Sequence, residues 1–213
     1  MSEIRVLYED DNMIVCVKPR GVLSQSGSGP NMPALLEELT GSAVYPVHRL
    51  DRETAGVMVY AKTREEAGRL SALVSGGKMK KIYYAAVRGG PEEDEGEWTD
   101  LLFRDRNKNK SYVVKRMRKG VKEARLAYEV IARREGIALC RVRLFTGRTH
   151  QIRVQFASRG FSLIGDSRYA GGKGELALYA YSLTFETADG REKTFECPPD
   201  SSCHPFDLFG DLL

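Results

Sequence analysis

Apolar residues recur along this chain in short, β-branched-rich runs separated by Gly, Asp, Asn and charged clusters, a rhythm that predicts a strand-rich fold. Arg5 to Tyr8 and Met13 to Val17 are joined by Glu9-Asp10-Asp11-Asn12, which reads as a hairpin. Lys18-Pro19-Arg20-Gly21 ends the second strand, because Pro withdraws a ladder donor. Gly56 to Ala61 is a buried strand, Ile82 to Val87 another, and a further one is expected near Trp98 to Phe103. Ala124 to Ile131 and Ile137 to Phe145 alternate apolar and polar with Gly136 at the turn between them. Leu176 to Leu183, Phe185 and Phe195 supply the last strands, and the apolar residues of the tail Pro205 to Leu213 are expected to dock.

Helical spacing appears in three places. Leu35, Leu36 and Leu39 lie on one face of Pro33 to Leu39. Ala67, Leu70, Leu73 and Val74 follow Thr63 as N-cap and stop at Gly76-Gly77. Ile152 and Phe156 follow Thr149, a second candidate cap, with Gly160 as the stop. Between these elements, Ser24 to Pro30 is Gly/Ser-rich and predicts a mobile loop, while Pro91 to Asp100 is acidic and predicts a solvated one.

A chain of 213 residues with 42% apolar and 29% charged residues is long enough for one sizeable core. No break in composition suggests a second domain, so residues 1–213 are expected to form one. There is no run of membrane-spanning length, and the opening MSEIRVLYEDD lacks a signal-like apolar stretch, so a cytoplasmic protein is expected. Cys16, Cys140, Cys197 and Cys203 form no CxxC pair, which favours reduced thiols, and the spacing of Cys197, Cys203 and His204 matches no zinc pattern. The formal charge of +4 is unevenly placed: Arg104 to Arg125 holds ten Lys or Arg against Asp105 and Glu123. Such a stripe, with Tyr112 and Met117 interleaved, suits a polyanion, and RNA is the expected partner.

Two dense polar stretches carry the candidate chemistry. In HRLDRETAGVMVYAKT, residues 48–63, Asp51 lies among Arg49 and Arg52 ahead of a buried strand, a setting that favours the ionised carboxylate and so a nucleophile or base. In FTGRTHQIRVQFASRG, residues 145–160, Arg148 and Arg153 bracket His150 and Gln151, and His150 and Arg153 are three apart on one helical face. Taken alone, Asp51 also suits a loop ion pair and Arg153 a surface charge. The first stretch, however, resembles the catalytic-aspartate motif of the RluA-type RNA pseudouridine synthases. KKIYYAAVRG, residues 80–89, resembles that family's second motif, and GRTHQIR, residues 147–153, its third; GDSRY at 165–169 and the lysine-proline turn at Lys18 extend the likeness.

The resemblance implies an α+β fold with a mixed, largely antiparallel central sheet, flanking helices and a central RNA-binding cleft. It implies isomerisation of specific uridines in ribosomal or transfer RNA without a cofactor or metal, by a monomer with no obligate protein partner. Asp51 would be the essential carboxylate, Arg153 would pair with it, and Tyr83 would lie under the target uracil. Arg49 would enter the stack vacated by the flipped uridine, and His48, Arg148, His150, Gln151, Lys80, Lys81, Lys115, Arg116 and Arg118 would line the RNA path. The first strand begins almost at once, so the small helical RNA-binding domain of many members is expected to be missing. Whether Asp51 attacks the ribose or base, or abstracts a proton to give a glycal, is left open by the sequence.

Three other readings compete with this one. An inactive RNA-binding module has no need of a carboxylate where phosphates must approach. A phosphotransferase is suggested by the kinase-like HRLD, but a Gly-rich nucleotide loop and DFG are missing. A metal hydrolase built on His48, His150 and Asp51 would be chelator-sensitive.

Overall fold

The computed structural model describes residues 4–213. The first hairpin forms where the pattern placed it: β1 (Val6–Glu9) pairs antiparallel with β2 (Met13–Lys18). β2 in turn pairs antiparallel with β4 (Ala55–Ala61), whose far end also takes the short strand β3 (Tyr45–Pro46). At its beginning β4 pairs parallel with β10 (Leu178–Glu186), and β11 (Glu192–Glu196) closes this side as an antiparallel partner of β10. Met13, Val15, Val57, Val59 and Ala61 line one core with Leu183, Phe185 and Phe195. Ile14, Cys16, Met58 and Tyr60, which alternate with them, are buried as well. Burial on both faces explains why β4 reads as an unbroken apolar run rather than as an alternation.

Two helices belong to the described residues of this unit, which comprises the residues up to Lys81 and Tyr179–Pro198. α1 (Met32–Thr40) is capped by Asn31, whose side chain accepts the Ala34 N–H. α2 (Arg64–Ser75) is capped by Thr63 on the Glu66 N–H, has Glu65 and Glu66 in its first turn, and ends at Gly76. The expectation of a mobile Ser24–Pro30 loop needs revision at its start. Leu23 is tied to Pro30 and Met32 by backbone bonds, and Ser24 is buried.

The second unit comprises Ile82–Leu178 and Pro199–Leu213. Its strands run in the order β5 (Lys80–Arg88), β9 (Ile137–Leu144), β8 (Val121–Arg134), β6 (Glu95–Asp105), β7 (Lys110–Val114). The β6–β7, β6–β8 and β8–β9 pairs are antiparallel, and Glu135-Gly136 turns β8 into β9. Helix α3 (Gln151–Ala157) contributes Phe156 to an aromatic cluster with Trp98 and Tyr128, and Phe206 and Phe209 of the tail are buried. One strand is added and one expectation changes. Strand β7, inside the basic stripe, was not legible, and the acidic stretch is half strand, with Glu97 paired to Arg125 at the end of that stripe.

All four cysteines are free thiols; Cys16, Cys140 and Cys197 are buried and Cys203 is exposed. Among the described residues no helix is long and apolar enough to cross a membrane.

Candidate active site

Asp51 lies in the turn between β3 and β4, and the residues on both sides of it are pinned. The Leu50 N–H donates to Ser24 Oγ at 2.9 Å and the same hydroxyl donates back to the Leu50 carbonyl at 2.8 Å. Ser24 is itself held, its carbonyl accepting the Tyr60 hydroxyl at 2.9 Å. On the other side, the Arg52 carbonyl accepts the Gly21 N–H at 2.9 Å and Lys18 Nζ at 3.1 Å. Arg52 Nε returns a bond to the Gly21 carbonyl, and the Thr54 N–H donates to the Asp51 carbonyl at 3.0 Å, closing the turn. A carboxylate carried by such a turn is placed before any substrate arrives.

Lys18 is fully buried, and its ammonium gives two further bonds, to the Pro19 and Val22 carbonyls at 2.8 Å each. Burial pulls its pKa down to about 8, against the opposing charges of Glu53 and Asp51. At neutral pH it remains a three-donor ammonium knitting 18–22 to the Asp51 turn. His48 has a different task. Its Nε2 accepts the Val59 N–H at 3.1 Å where strand β3 has already left β4, so the ring stands in for a backbone carbonyl. Its pKa falls to about 3, through burial first and the charge of Lys81 second, and the ring is neutral.

In the second unit the GRTHQIR segment is folded around its own polar groups. His150 takes left-handed backbone, φ 55° and ψ 27°, and starts α3 without a side-chain cap; the expected Thr149 cap does not form, and the Thr149 carbonyl accepts Ser111 Oγ at 2.6 Å instead. Gln151 is buried, with Oε1 accepting from Thr146 Oγ1 and the Arg148 N–H and Nε2 donating to the Arg125 carbonyl. Every residue from Gln151 to Phe156 is buried, Arg153 included, so the surface-charge alternative for Arg153 fails. Its Nε and Nη2 donate to Asp166 Oδ2 and Oδ1, both at 2.7 Å. Burial alone would raise the Asp166 pKa; the Arg153 bonds and charge, with the N–H groups of Tyr169 and Arg168, hold it below its usual value. Tyr169 closes the arrangement, its ring 5.5 Å from the Arg153 guanidinium and its hydroxyl 3.1 Å from His150 Nδ1.

The sequence-predicted residues divide between the units. Asp51, His48, Arg49, Lys80 and Lys81 belong to the first, and Tyr83, Lys115, Arg116, Arg118, Arg148, His150, Gln151 and Arg153 to the second. Arg49 is exposed beside the pinned Leu50, and Lys115, Arg116 and Arg118 are exposed in the β7–β8 turn, where Arg118 covers the Phe103 ring at 5.1 Å. Lys80 pairs with Glu192 on the surface, Lys81 is half-buried with its pKa lowered by burial, and Arg148 Nε donates to the Glu123 carbonyl. Tyr83 and Tyr84 of β5 are both buried.

Sequence reasoning missed Lys18 and Ser24 as holders of the Asp51 turn, and Ser111, Asp166 and Tyr169 as holders of the Arg153 segment. The lysine-proline turn and GDSRY were visible as motifs, but nothing in either said which groups they hold. Among the described residues no group of three His, Cys, Asp or Glu is placed to hold a metal ion. For the hydrolase reading, His48 Nε2 already accepts a backbone N–H, which removes the lone pair a metal would need there.

The sequence profile of the family described as RNA pseudouridylate synthase matches residues 12–158. An uncharacterized RNA pseudouridine synthase of Bacillus subtilis is 34% identical over 181 residues, covering 80% of this chain and 59% of the relative. The chain thus spans about three fifths of that protein. The dual-specificity RNA pseudouridine synthase RluA of Vibrio cholerae is 34% identical over 192 residues, covering 85% of this chain and 77% of the relative. Among solved structures, human RNA pseudouridylate synthase domain containing 1 superposes with a TM-score of 0.79 at 20% identity, over 97% of this chain and 87% of that one, which shows a shared fold.

Proposed function

The chain belongs to the RNA pseudouridylate synthase family, and from that membership we propose that it isomerises uridines in ribosomal or transfer RNA to pseudouridine, with Asp51 as the essential carboxylate. The observation that carries this is the Asp51 turn, pinned at Leu50 by Ser24 and at Arg52 by Lys18 and Gly21, within the matched segment. The reaction breaks the glycosidic bond, turns the uracil and joins its carbon 5 to the ribose. No electron transfer or phosphate activation is involved, so the protein's task is to supply a positioned carboxylate and a rigid pocket. In this reading Arg153, whose guanidinium is held by Asp166, supplies the positive charge that favours the ionised form of Asp51. Tyr83 stacks on the base, and Arg49 fills the place of the extruded nucleotide, an extrusion that costs about a few kcal/mol. The chain acts as one catalytic domain and as a monomer in the cytoplasm, without a cofactor or an obligate protein partner.

Nucleoside mapping of RNA from cells with and without the gene tests the assignment and names the target at once. At least one pseudouridine is expected to disappear in the deletion and to return with the wild-type gene but not with one encoding Asp51→Asn. An unchanged pseudouridine map would count against the assignment.

The exposed cations of the β7–β8 turn are proposed to hold phosphates. Reversing Lys115, Arg116 and Arg118 to Glu is expected to weaken RNA binding and to lower the log–log salt slope by about 2, at roughly 0.7 per phosphate on single strands. A salt titration by fluorescence anisotropy reads this; an unchanged slope would reduce the turn to a solvated loop.

A further inference from the structure

Residues 163–172 are folded around one side chain. The Asp166 carboxylate takes both Arg153 bonds, and its Oδ1 also accepts the N–H groups of Arg168 at 2.9 Å and Tyr169 at 3.1 Å. Its backbone carbonyl accepts the Ala170 and Gly172 N–H groups at 3.1 Å each, and its own N–H donates to the Leu163 carbonyl at 3.2 Å. Gly165, immediately before it, has φ +72°, and a Cβ there would lie 1.8 Å from the Glu175 carbonyl oxygen, so the approach admits only glycine. The loop is anchored in turn to strand β7. The Tyr169 hydroxyl accepts the Ser111 N–H at 2.8 Å and lies 3.1 Å from the Ser111 carbonyl, and Lys110 Nζ donates to the Arg168 carbonyl at 2.8 Å.

The Arg153 and Asp166 side chains are only 7% and 1% exposed. A buried ion pair is a weak device for stability, since apolar residues of similar volume serve about as well. What a bidentate pair adds is a fixed plane and direction for a guanidinium that otherwise samples many rotamers. We propose that Asp166 is a positioning residue for Arg153, and that Tyr169 holds Asp166 in place by tying its loop to β7. The proposal rests on the reading of Arg153 as a residue of the reaction. Arg153 then acts from a preset orientation, and displacing it by about 1 Å is enough to slow the chemical step about 100-fold.

The test is the single-turnover rate at saturating enzyme, set beside RNA affinity, for Asp166→Asn, Tyr169→Phe and Arg153→Lys in the full chain on an RNA that the wild type modifies. Asp166→Asn puts an amide NH2 where a carboxylate oxygen met the guanidinium. It is expected to slow the rate about 100-fold while Kd moves less than about threefold. Because Asp166 acts through Arg153, adding Asp166→Asn to Arg153→Lys is expected to slow that variant by less than about threefold, whereas an independent structural role multiplies the two losses. Should Asp166→Asn not fold, Tyr169→Phe decides: the ring stays over Arg153, the hydroxyl anchor is lost, and a rate loss of about tenfold at unchanged Kd supports the proposal. A wild-type rate in Asp166→Asn or, where that variant does not fold, in Tyr169→Phe overturns it, as does a full Asp166→Asn loss on top of Arg153→Lys. If Arg153→Lys itself turns over like the wild type, the reading of Arg153 falls and the proposal with it. If Arg153→Lys is slow and Asp166→Asn is not, only the positioning role fails.

Discussion

Asp51→Asn is expected to abolish pseudouridine formation, lowering the single-turnover rate by about 10⁴-fold or more, the scale reached when a reacting group is removed. The substitution keeps the size of the side chain and removes its capacity to ionise. The backbone bonds of the turn, through Leu50, Arg52, Thr54 and the carbonyl of residue 51, do not involve the atoms that change. Stability is therefore expected to stay within about 1 kcal/mol of the wild type and RNA affinity within a few-fold. Nucleoside mass spectrometry after one turnover, beside a urea denaturation curve, reads both quantities. Turnover above about one hundredth of the wild-type rate would remove Asp51 from the chemistry, since general acid or base help alone is worth at least that much.

Gly56→Ala is expected to be the most damaging single change to the fold near the site. Gly56 has φ +126°, which an L side chain rarely adopts, and it pairs with Ala180 in the parallel β4–β10 ladder. A Cβ at this position would lie 2.2 Å from the Ala180 carbonyl oxygen and 2.6 Å from its nitrogen, both backbone atoms that no rotamer change can move. Either β10 separates from β4 or the Asp51 turn, which feeds directly into β4, is displaced. A loss of more than about 4 kcal/mol is expected, at the upper end for point substitutions and comparable to the whole stability of many small domains. The protein is expected to be insoluble or to unfold in the cold at low urea. A variant within about 1 kcal/mol of wild type by urea denaturation would show that β4 and β10 do not approach as described.

What the sequence disclosed and what it hid follow from where each signal resides. Strands β2, β4, β8 and β9 were legible because their own side chains are apolar on one face or both. Thr63 was legible as a cap because the signal, a hydroxyl three residues before Glu66, is local. Strand β7 was hidden, since Lys110-Ser111-Tyr112-Val113-Val114 sits in a run of charge and its burial centres on Ser111, held by Thr149 and Tyr169 from far along the chain. Thr149 looked like a cap because no local rule foretells that His150 turns left-handed and packs its ring edge-on to Tyr169. Arg153 looked like a surface charge for a similar reason. Its burial depends on Asp166, thirteen residues on, and on a glycine turn that brings the carboxylate within reach. Lys18 shows the same limit, since a lysine reads as exposed until three carbonyls are found waiting for its ammonium. The candidate chemistry was legible mainly through motif resemblance, because the bonds that fix Asp51 come from Lys18, Gly21 and Ser24, some thirty residues earlier.

Joining carbon 5 of uracil to the ribose displaces the hydrogen that carbon 5 carried, so RNA labelled with tritium at that position reports the reaction atom for atom. The purified chain, incubated with 5-tritiated-uridine RNA in the presence of EDTA, is expected to release tritium to water in a fixed stoichiometry per RNA molecule and to leave an equal amount of pseudouridine in the strand. The Asp51→Asn protein is expected to release none while still binding the RNA. Tritium retained by a folded wild-type protein that binds its RNA, or release that Asp51→Asn matches, would contradict the assignment.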